Sequence, residues 1–264
     1  MNRSLDLVTF VTRAENRVEA LLLLSTAPAT RPELQEATDI PRATLSRILA
    51  DFDDRELLDR DGYEYVLTPL GKLLATEIRS LLDSVEAMQR LEDVRRWLSI
   101  DEFDFPVERL ADADVVVPSP QDPTAPIRRM EELFGEARRV RLVANSVVPG
   151  CLEALWREVI AGRQTLEWVT TTAALEVVDD DPELTQWTRE LLGTGDASVY
   201  VHEEGSPQVL GIVDEAVLTP VSDGTGAVQG HVETEDDVVR SWAEEAIDAY
   251  VRDAEPLEAE VLAG

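Results

Sequence analysis

The chain has almost no lysine: of its 24 basic residues Lys72 is the single lysine, and the other 23 are arginines. Cysteine is equally scarce. Cys151 stands alone, which excludes an intramolecular disulfide. With two histidines and one cysteine, little is left for a metal centre or a nucleophile–base pair. No P-loop, no Rossmann glycine pattern and no Gly-x-Ser-x-Gly elbow occurs, and Gly224-Thr225-Gly226 reads as a turn. His202 beside Glu203 is a weak metal candidate, and carboxylates are too abundant for any pair of them to signal chemistry. No apolar run is long enough to span a bilayer. Met1 to Thr12 lacks the charged-then-apolar layout of a signal peptide, so a cytoplasmic protein is expected. These absences predict no enzyme, no cofactor, no metal and no membrane partner.

What is abundant is carboxylate. The 54 acidic residues give a formal net charge of −30 and a pI near 4.2. An acidic surface nearly free of lysine fits a proteome adapted to molar salt. There, carboxylates keep the surface hydrated, and a Debye length of about 3 Å at 1 M screens their repulsion. The acidity is uneven. Residues 1–97 carry 13 basic and 18 acidic side chains, a net of −5, whereas residues 98–264 carry 11 and 36, a net of −25. A first segment held near neutral is what a nucleic-acid-facing module needs in such a background. The 264 residues, 44% of them hydrophobic, suffice for two cores.

Periodicity divides the chain into four parts: residues 1–68, a helix over 69–98, a Pro- and Asp-rich connector over 99–123, and a second domain over 124–264. A helix is expected from Arg13 to Ser25. Thr30, Pro32 and Glu33 form a capping-box signature for a second helix over Arg31–Ala37. Pro41 suits the first position of a third helix reaching about Arg55, with Leu45, Ile48, Leu49 and Phe52 facing inward. Asp61-Gly62 marks a hairpin between Leu57 and Leu67, in which Tyr63, Tyr65 and Leu67 alternate. Helix, turn, helix and hairpin together spell a winged helix-turn-helix. The following helix carries Leu74, Ile78, Leu81, Val85 and Met88 at spacings of 4, 3, 4 and 3. This heptad seam, phase-shifted to Leu91, Val94 and Leu98, predicts a homodimer. Beyond the connector, where Val115–Val117 is expected as a short strand, strands alternate with helices. That pattern predicts an α/β sheet ending in an antiparallel hairpin at Asp214-Glu215.

The chemistry of the first domain points to double-stranded DNA. A third helix fits the major groove and reads base edges from its N-terminal half. Arg42 and Arg47 can make bidentate bonds to guanine, while Thr44 and Ser46 can touch bases or phosphates. Arg31, Arg60 and Tyr63 are placed to hold backbone. Residues 31–60 carry five arginines against eight carboxylates, so bulk charge is not the source of affinity. In molar salt counterion release contributes little, and direct hydrogen bonds and fit must carry more. The alternative is a scaffold whose winged helix contacts another protein.

The stretches Arg13-Ala-Glu-Asn-Arg17, Ile40-Pro-Arg-Ala-Thr-Leu-Ser-Arg-Ile-Leu49 and Leu67-Thr-Pro-Leu-Gly71 resemble haloarchaeal winged helix-turn-helix regulators. In that family a methanogenesis-regulatory, FilR-type domain follows. Asp112–Pro118, Val199–His202 and Glu245–Pro256 are similar to it. The resemblance implies a transcription regulator, dimeric, whose second domain senses an effector. That domain is also distantly similar to the phospholipase-D-like sensor halves of TrmB-type regulators, but the His-x-Lys motif of active phospholipases is absent. For a small-molecule effector, polar residues just past strand ends are the candidates: Asn145 and Ser146, then Thr170, Thr171 and Thr172, then His202. Strand ends often carry polar caps with no ligand at all. Cys151, following Pro149-Gly150 at a helix start, is either a redox-responsive thiol with a lowered pKa or a small core residue.

Overall fold

The computed structural model describes residues 3–203, 209–223 and 227–258, with the backbone alone at residues 3 and 4. The chain divides into two units between Asp83 and Ser84. The turn expected at Gly224–Gly226 lies outside the described residues.

In the first unit, α1 (Arg3–Thr12), α2 (Glu15–Thr26), α3 (Arg31–Ala37) and α4 (Arg42–Asp53) surround one core. α1 was not anticipated, and the helix expected from Arg13 begins instead at Glu15. Val11 is fully buried, and the Phe10 ring meets Phe52 edge-on at 6.1 Å. Arg17 and Arg55 lay their guanidinium groups over the same Phe10 ring at 4.2 and 3.7 Å. The expected capping box opens α3: the Thr30 amide donates to the Glu33 carboxylate at 2.7 Å, and the Glu33 amide donates to the Thr30 hydroxyl. Pro41, expected as the first residue of the third helix, is its N-cap. Leu45, Ile48, Leu49 and Phe52 are buried, as their spacing predicts.

The wing is β2 (Leu58–Asp61) and β3 (Glu64–Leu67), turned at Gly62, whose φ of +60° suits glycine. With β1 (Ala29–Thr30) they make a three-stranded sheet in the order β1-β3-β2. The chain then enters α5 (Pro69–Arg90) through a tight lock. The Thr68 hydroxyl donates to the Glu56 carbonyl at 2.8 Å and accepts from the Gly71 amide at 3.0 Å. Here the first departure of consequence appears: α5 stops at Arg90, short of the expected Leu98. Leu91, Val94 and Trp97 follow at steps of three, and the backbone winds accordingly. The amides of Val94 and Trp97 donate to the carbonyls three residues back, at 3.1 and 3.0 Å.

The second unit begins at Ser84, so residues 84–123 contribute to its core instead of serving as a detached link. Its strands, among the described residues, are β4 (Asp114–Val116), β5 (Arg139–Val143), β6 (Thr165–Thr170), β7 (Ala197–Val201), β8 (Leu210–Val213), β9 (Ala216–Ser222), β10 (Val228–Thr234) and β11 (Glu255–Pro256). They form one sheet in the order β11-β7-β6-β5-β8-β9-β10-β4. The pairs β5/β6 and β6/β7 are parallel and the others antiparallel, which is the expected α/β layout with an antiparallel extension. β10, β11 and α8 (Thr172–Asp179) are additions to the expected elements. One face of the sheet is covered by α6 (Ala125–Glu136), α7 (Pro149–Ile160), α8 and α9 (Pro182–Thr194). The other carries α10 (Asp237–Asp253) together with Leu91, Val94, Leu98, Phe105 and Leu110. At the Asp214 hairpin the side chain accepts from the Arg138 and Arg139 amides at 3.0 and 2.9 Å, tying the turn to the start of β5.

Candidate nucleic-acid interface

Helix α4 has one buried arc and one open arc. Arg42 and Arg47 are exposed, and Thr44 and Ser46 are half-buried beside them. Among the described residues, the Arg42 and Arg47 guanidinium groups have no ion-pair or hydrogen-bond partner. The Ser46 hydroxyl donates to the Arg42 carbonyl at 2.9 Å, which leaves its oxygen lone pairs for an incoming donor. The middle of the open arc is filled by Ala43 and Ala50, seven residues apart and both exposed. Sequence reading passed over these two. The signal was a small residue at two outward positions, and its effect is to leave the helix backbone open between the exposed side chains.

The other arginines of this unit divide by task. Arg17 pairs with Asp51 at 2.8 Å and donates to the Phe10 carbonyl at 2.9 Å, so it holds α1 and α4 together. Arg55 donates to the Asp51 carbonyl at 3.0 Å. Arg31 is half-buried, and its Nη2 donates to the buried Tyr65 hydroxyl at 3.1 Å, which braces the wing from behind. Arg60 stands over the Tyr65 ring at 5.1 Å with its head exposed. Tyr63, in the two-residue loop of the wing, is 94% exposed. Exposed Arg42, Arg47, Arg60 and Tyr63 therefore contrast with the braced Arg31.

The heptad seam expected to carry dimerisation is split by the fold. Ile78 is buried and Leu74 half-buried against the first unit's own core, whereas Leu81, Val85 and Met88 are exposed, Met88 by 65%. Leu70, Leu73 and Leu82 add to the apolar surface that α5 leaves open.

In the second unit the candidate effector residues serve several local purposes. The Thr170 hydroxyl donates to the Ala144 carbonyl at 3.1 Å, and the Thr171 hydroxyl caps α8 by accepting from the Ala174 amide at 3.2 Å. Thr172 is exposed on the first turn of α8. His202 packs edge-on against Tyr250 at 5.3 Å. Asn145 and Ser146 are exposed beyond β5, and of the six residues Ser146 alone lines the apolar cavity of this unit. A lowered Cys151 pKa does not result from its place at the start of α7. Burial pushes the thiol up to about 12, with the Glu131 carboxylate adding to the shift, so the redox-responsive reading gives way to a core thiol. Among the described residues no group of three His, Cys, Asp or Glu side chains is placed to hold a metal ion. No helix among them is long and apolar enough to cross a membrane.

The HVO_A0261 N-terminal domain model matches residues 5–90, and that of the middle domain of the methanogenesis regulatory protein FilR1 matches residues 123–253. No curated protein matches the sequence. Among solved structures, the chain is similar to TrmBL2, described as an archaeal chromatin protein with a novel mode of DNA binding. That match has 16% identity over 92% of this chain and 93% of the other, with a TM-score of 0.43. It is also similar to Nuc, a phospholipase D family member from Salmonella typhimurium, at 14% identity over 55% of this chain and 99% of that one, TM-score 0.43. For NucT from Helicobacter pylori the figures are 10%, 55%, 98% and 0.40. The winged helix of the first unit and the mixed sheet of the second thus coincide with the two matched domains, and the chain belongs to the winged helix-turn-helix transcription regulators that join an HVO_A0261 N-terminal domain to a FilR1 middle domain.

Proposed function

We propose that the protein binds specific double-stranded DNA sequences as a cytoplasmic homodimer and regulates transcription, with the second unit serving effector sensing or assembly. α4 enters the major groove. Arg42 and Arg47 take guanine edges, and Thr44 and Ser46 take bases or phosphates. The central Ala43 and Ala50 permit close approach and offer methyl contacts to thymine. Arg60 and Tyr63 lie along the backbone as the wing, and Arg31 positions that wing through Tyr65. The exposed apolar strip of Leu81, Val85 and Met88 meets the same strip of a second copy.

The observation that supports this reading most is the contrast between arginines. Arg17 and Arg55 are tied into the fold, while Arg42 and Arg47 stand free on the open arc of α4, which also carries the small Ala43 and Ala50. Capture of genomic fragments in molar KCl tests it. The retained fragments are expected to share a sequence, and the double variant Arg42→Ala, Arg47→Ala is expected to weaken binding by roughly 30- to 20,000-fold, two pairs being lost. That range follows from about 1–3 kcal/mol per bidentate pair. If no fragment is retained and the double variant changes no transcript, the winged helix contacts a protein and the DNA reading fails.

A further inference from the structure

The two strands of the wing sort their charges by face. Successive side chains on a strand point to opposite sides. Asp59, Asp61 and Glu64 therefore share one face with Val66, and Arg60 shares the other with Tyr65, Leu58 and Leu67. β1 flanks Tyr65 on its other side: Ala29 is its cross-strand neighbour, and the chain runs on through Thr30 into Arg31. Two guanidinium groups thus converge on one buried phenol. Arg31 Nη2 donates to the Tyr65 hydroxyl at 3.1 Å, and Arg60 Cζ lies 5.1 Å from the ring centroid. Among the described residues neither arginine meets a carboxylate. That is unusual for this chain, since in the second unit Arg128, Arg129, Arg141 and Arg240 each meet two. The carboxylate nearest to Arg31 in sequence, Glu33, is engaged by the Thr30 amide at 2.7 Å. Arg31 is half-buried and its Nε is enclosed with no acceptor among the described residues, so its charge is partly desolvated. A desolvated cation beside a second cation, with no counter-ion for either, is costly until an anion arrives.

We propose that Arg31 and Arg60 form one oxyanion site for a phosphodiester of the DNA backbone, and that Tyr65 is its positioning residue. The Tyr65 hydroxyl sets the Arg31 head and its ring sets the Arg60 head, so one side chain fixes the spacing between α3 and the wing arginine. A guanidinium fork fits phosphate oxygens, and a duplex presents phosphates whatever its sequence. The site rests on the DNA reading above and deepens it. Arg31 does more than brace the wing: with Arg60 it supplies the counter-charge to one phosphate. In a chain this acidic the two arginines stay available because the wing carboxylates point to the opposite face.

The test measures the affinity of the full chain for one captured genomic fragment at several molar KCl concentrations. The double variant Arg31→Ala, Arg60→Ala is expected to flatten the slope of log affinity against log salt by about one, the loss of a single phosphate contact. Two independent contacts would flatten it by about two. Tyr65→Phe keeps the ring and removes the hydroxyl. It is expected to weaken binding roughly 2- to 10-fold, the yield of one net hydrogen bond, and to have no effect in the Arg31→Ala background. A hydroxyl with a merely structural role would cost the same in both backgrounds. Every variant is expected to retain the shared sequence of the fragments, because a phosphate contact carries none. The site is overturned by a slope that is unchanged or falls by two, or by equal losses from Tyr65→Phe in the two backgrounds. Fragments retained by the native chain with an unaltered slope in the double variant remove this site alone. A native chain that retains no fragment removes the DNA reading and this site with it.

Discussion

His231 sits on β10 with no exposed surface and with neither ring nitrogen hydrogen-bonded among the described residues. Burial lowers its pKa from the usual 6.5 to about 4. The Glu233 carboxylate, 3.9 Å from Nε2, opposes the shift, and the Arg129 guanidinium assists it. The unfolded chain therefore takes up the proton first as pH falls. The neutral imidazole contributes its full stability above about pH 6.5, and that contribution is lost as pH drops toward 4. For a shift of this size the loss is at most roughly 3 kcal/mol, at 1.36 kcal/mol per unit. Denaturant titrations at pH 7 and pH 4.5 should show His231→Leu losing less stability across that interval than the native chain. Equal losses would mean that this imidazole is not responsible. Arg129 has a second duty here, since it donates to both Glu233 carboxylate oxygens, at 3.2 and 2.9 Å, and so fixes α6 to β10.

At the scale of elements, the exit from the wing is a tight junction. A Cβ built on Gly71 would lie 2.1 Å from the Leu57 carbonyl oxygen, a backbone atom that cannot swing away. Gly71→Ala is expected to destabilise the first unit by about 1–3 kcal/mol through forced displacement of the wing, despite alanine's better helix propensity. Thermal unfolding checks the sign; an unchanged or raised midpoint would show that the wing moves freely. Elements with strong periodicity were legible beforehand: α4 from its inward leucines, the wing from Asp61-Gly62, α3 from its capping box. Others were not, for identifiable reasons. α1 is a short run containing Val8, Thr9, Val11 and Thr12, β-branched residues with weak helix preference, and Phe10 between Phe52 and two arginines stabilises its helical form. β10 hides because Gly230 and the polar Gln229, His231 and Glu233 break any apolar alternation. The end of α5 was written in the spacing. A step of 3 and then 3 from Met88 through Leu91 to Val94 suits three residues per turn and not 3.6.

For the molecule as a whole, the candidate site was readable to the extent that outward polar residues follow from inward apolar ones. Which arginines are free did not follow. Composition cannot tell Arg47 from Arg17, because the difference lies in whether Asp51 and the Phe10 ring are within reach. Likewise the heptad seam could not reveal that Ile78 is consumed by its own core while Met88 is left open. The exposed remainder carries a prediction about mass. Light scattering in molar KCl is expected to give two chains per particle, and Val85→Asp with Met88→Asp to give one, with circular dichroism unchanged since both positions are exposed. A native particle of one chain would leave α5 without a mate and remove the dimer from the proposal.

The sheet of the second unit ends, among the described residues, on the three-residue β4 and the two-residue β11, which holds Pro256. Strands so short, one of them lacking an amide hydrogen at proline, give a neighbouring chain no template on which to add another. Growth by end-to-end sheet extension is thereby closed off at both margins. The association proposed above would run through helix faces, and a contact between identical faces about a two-fold axis satisfies itself in one step. Such an association would be a finite particle, with no open-ended polymer.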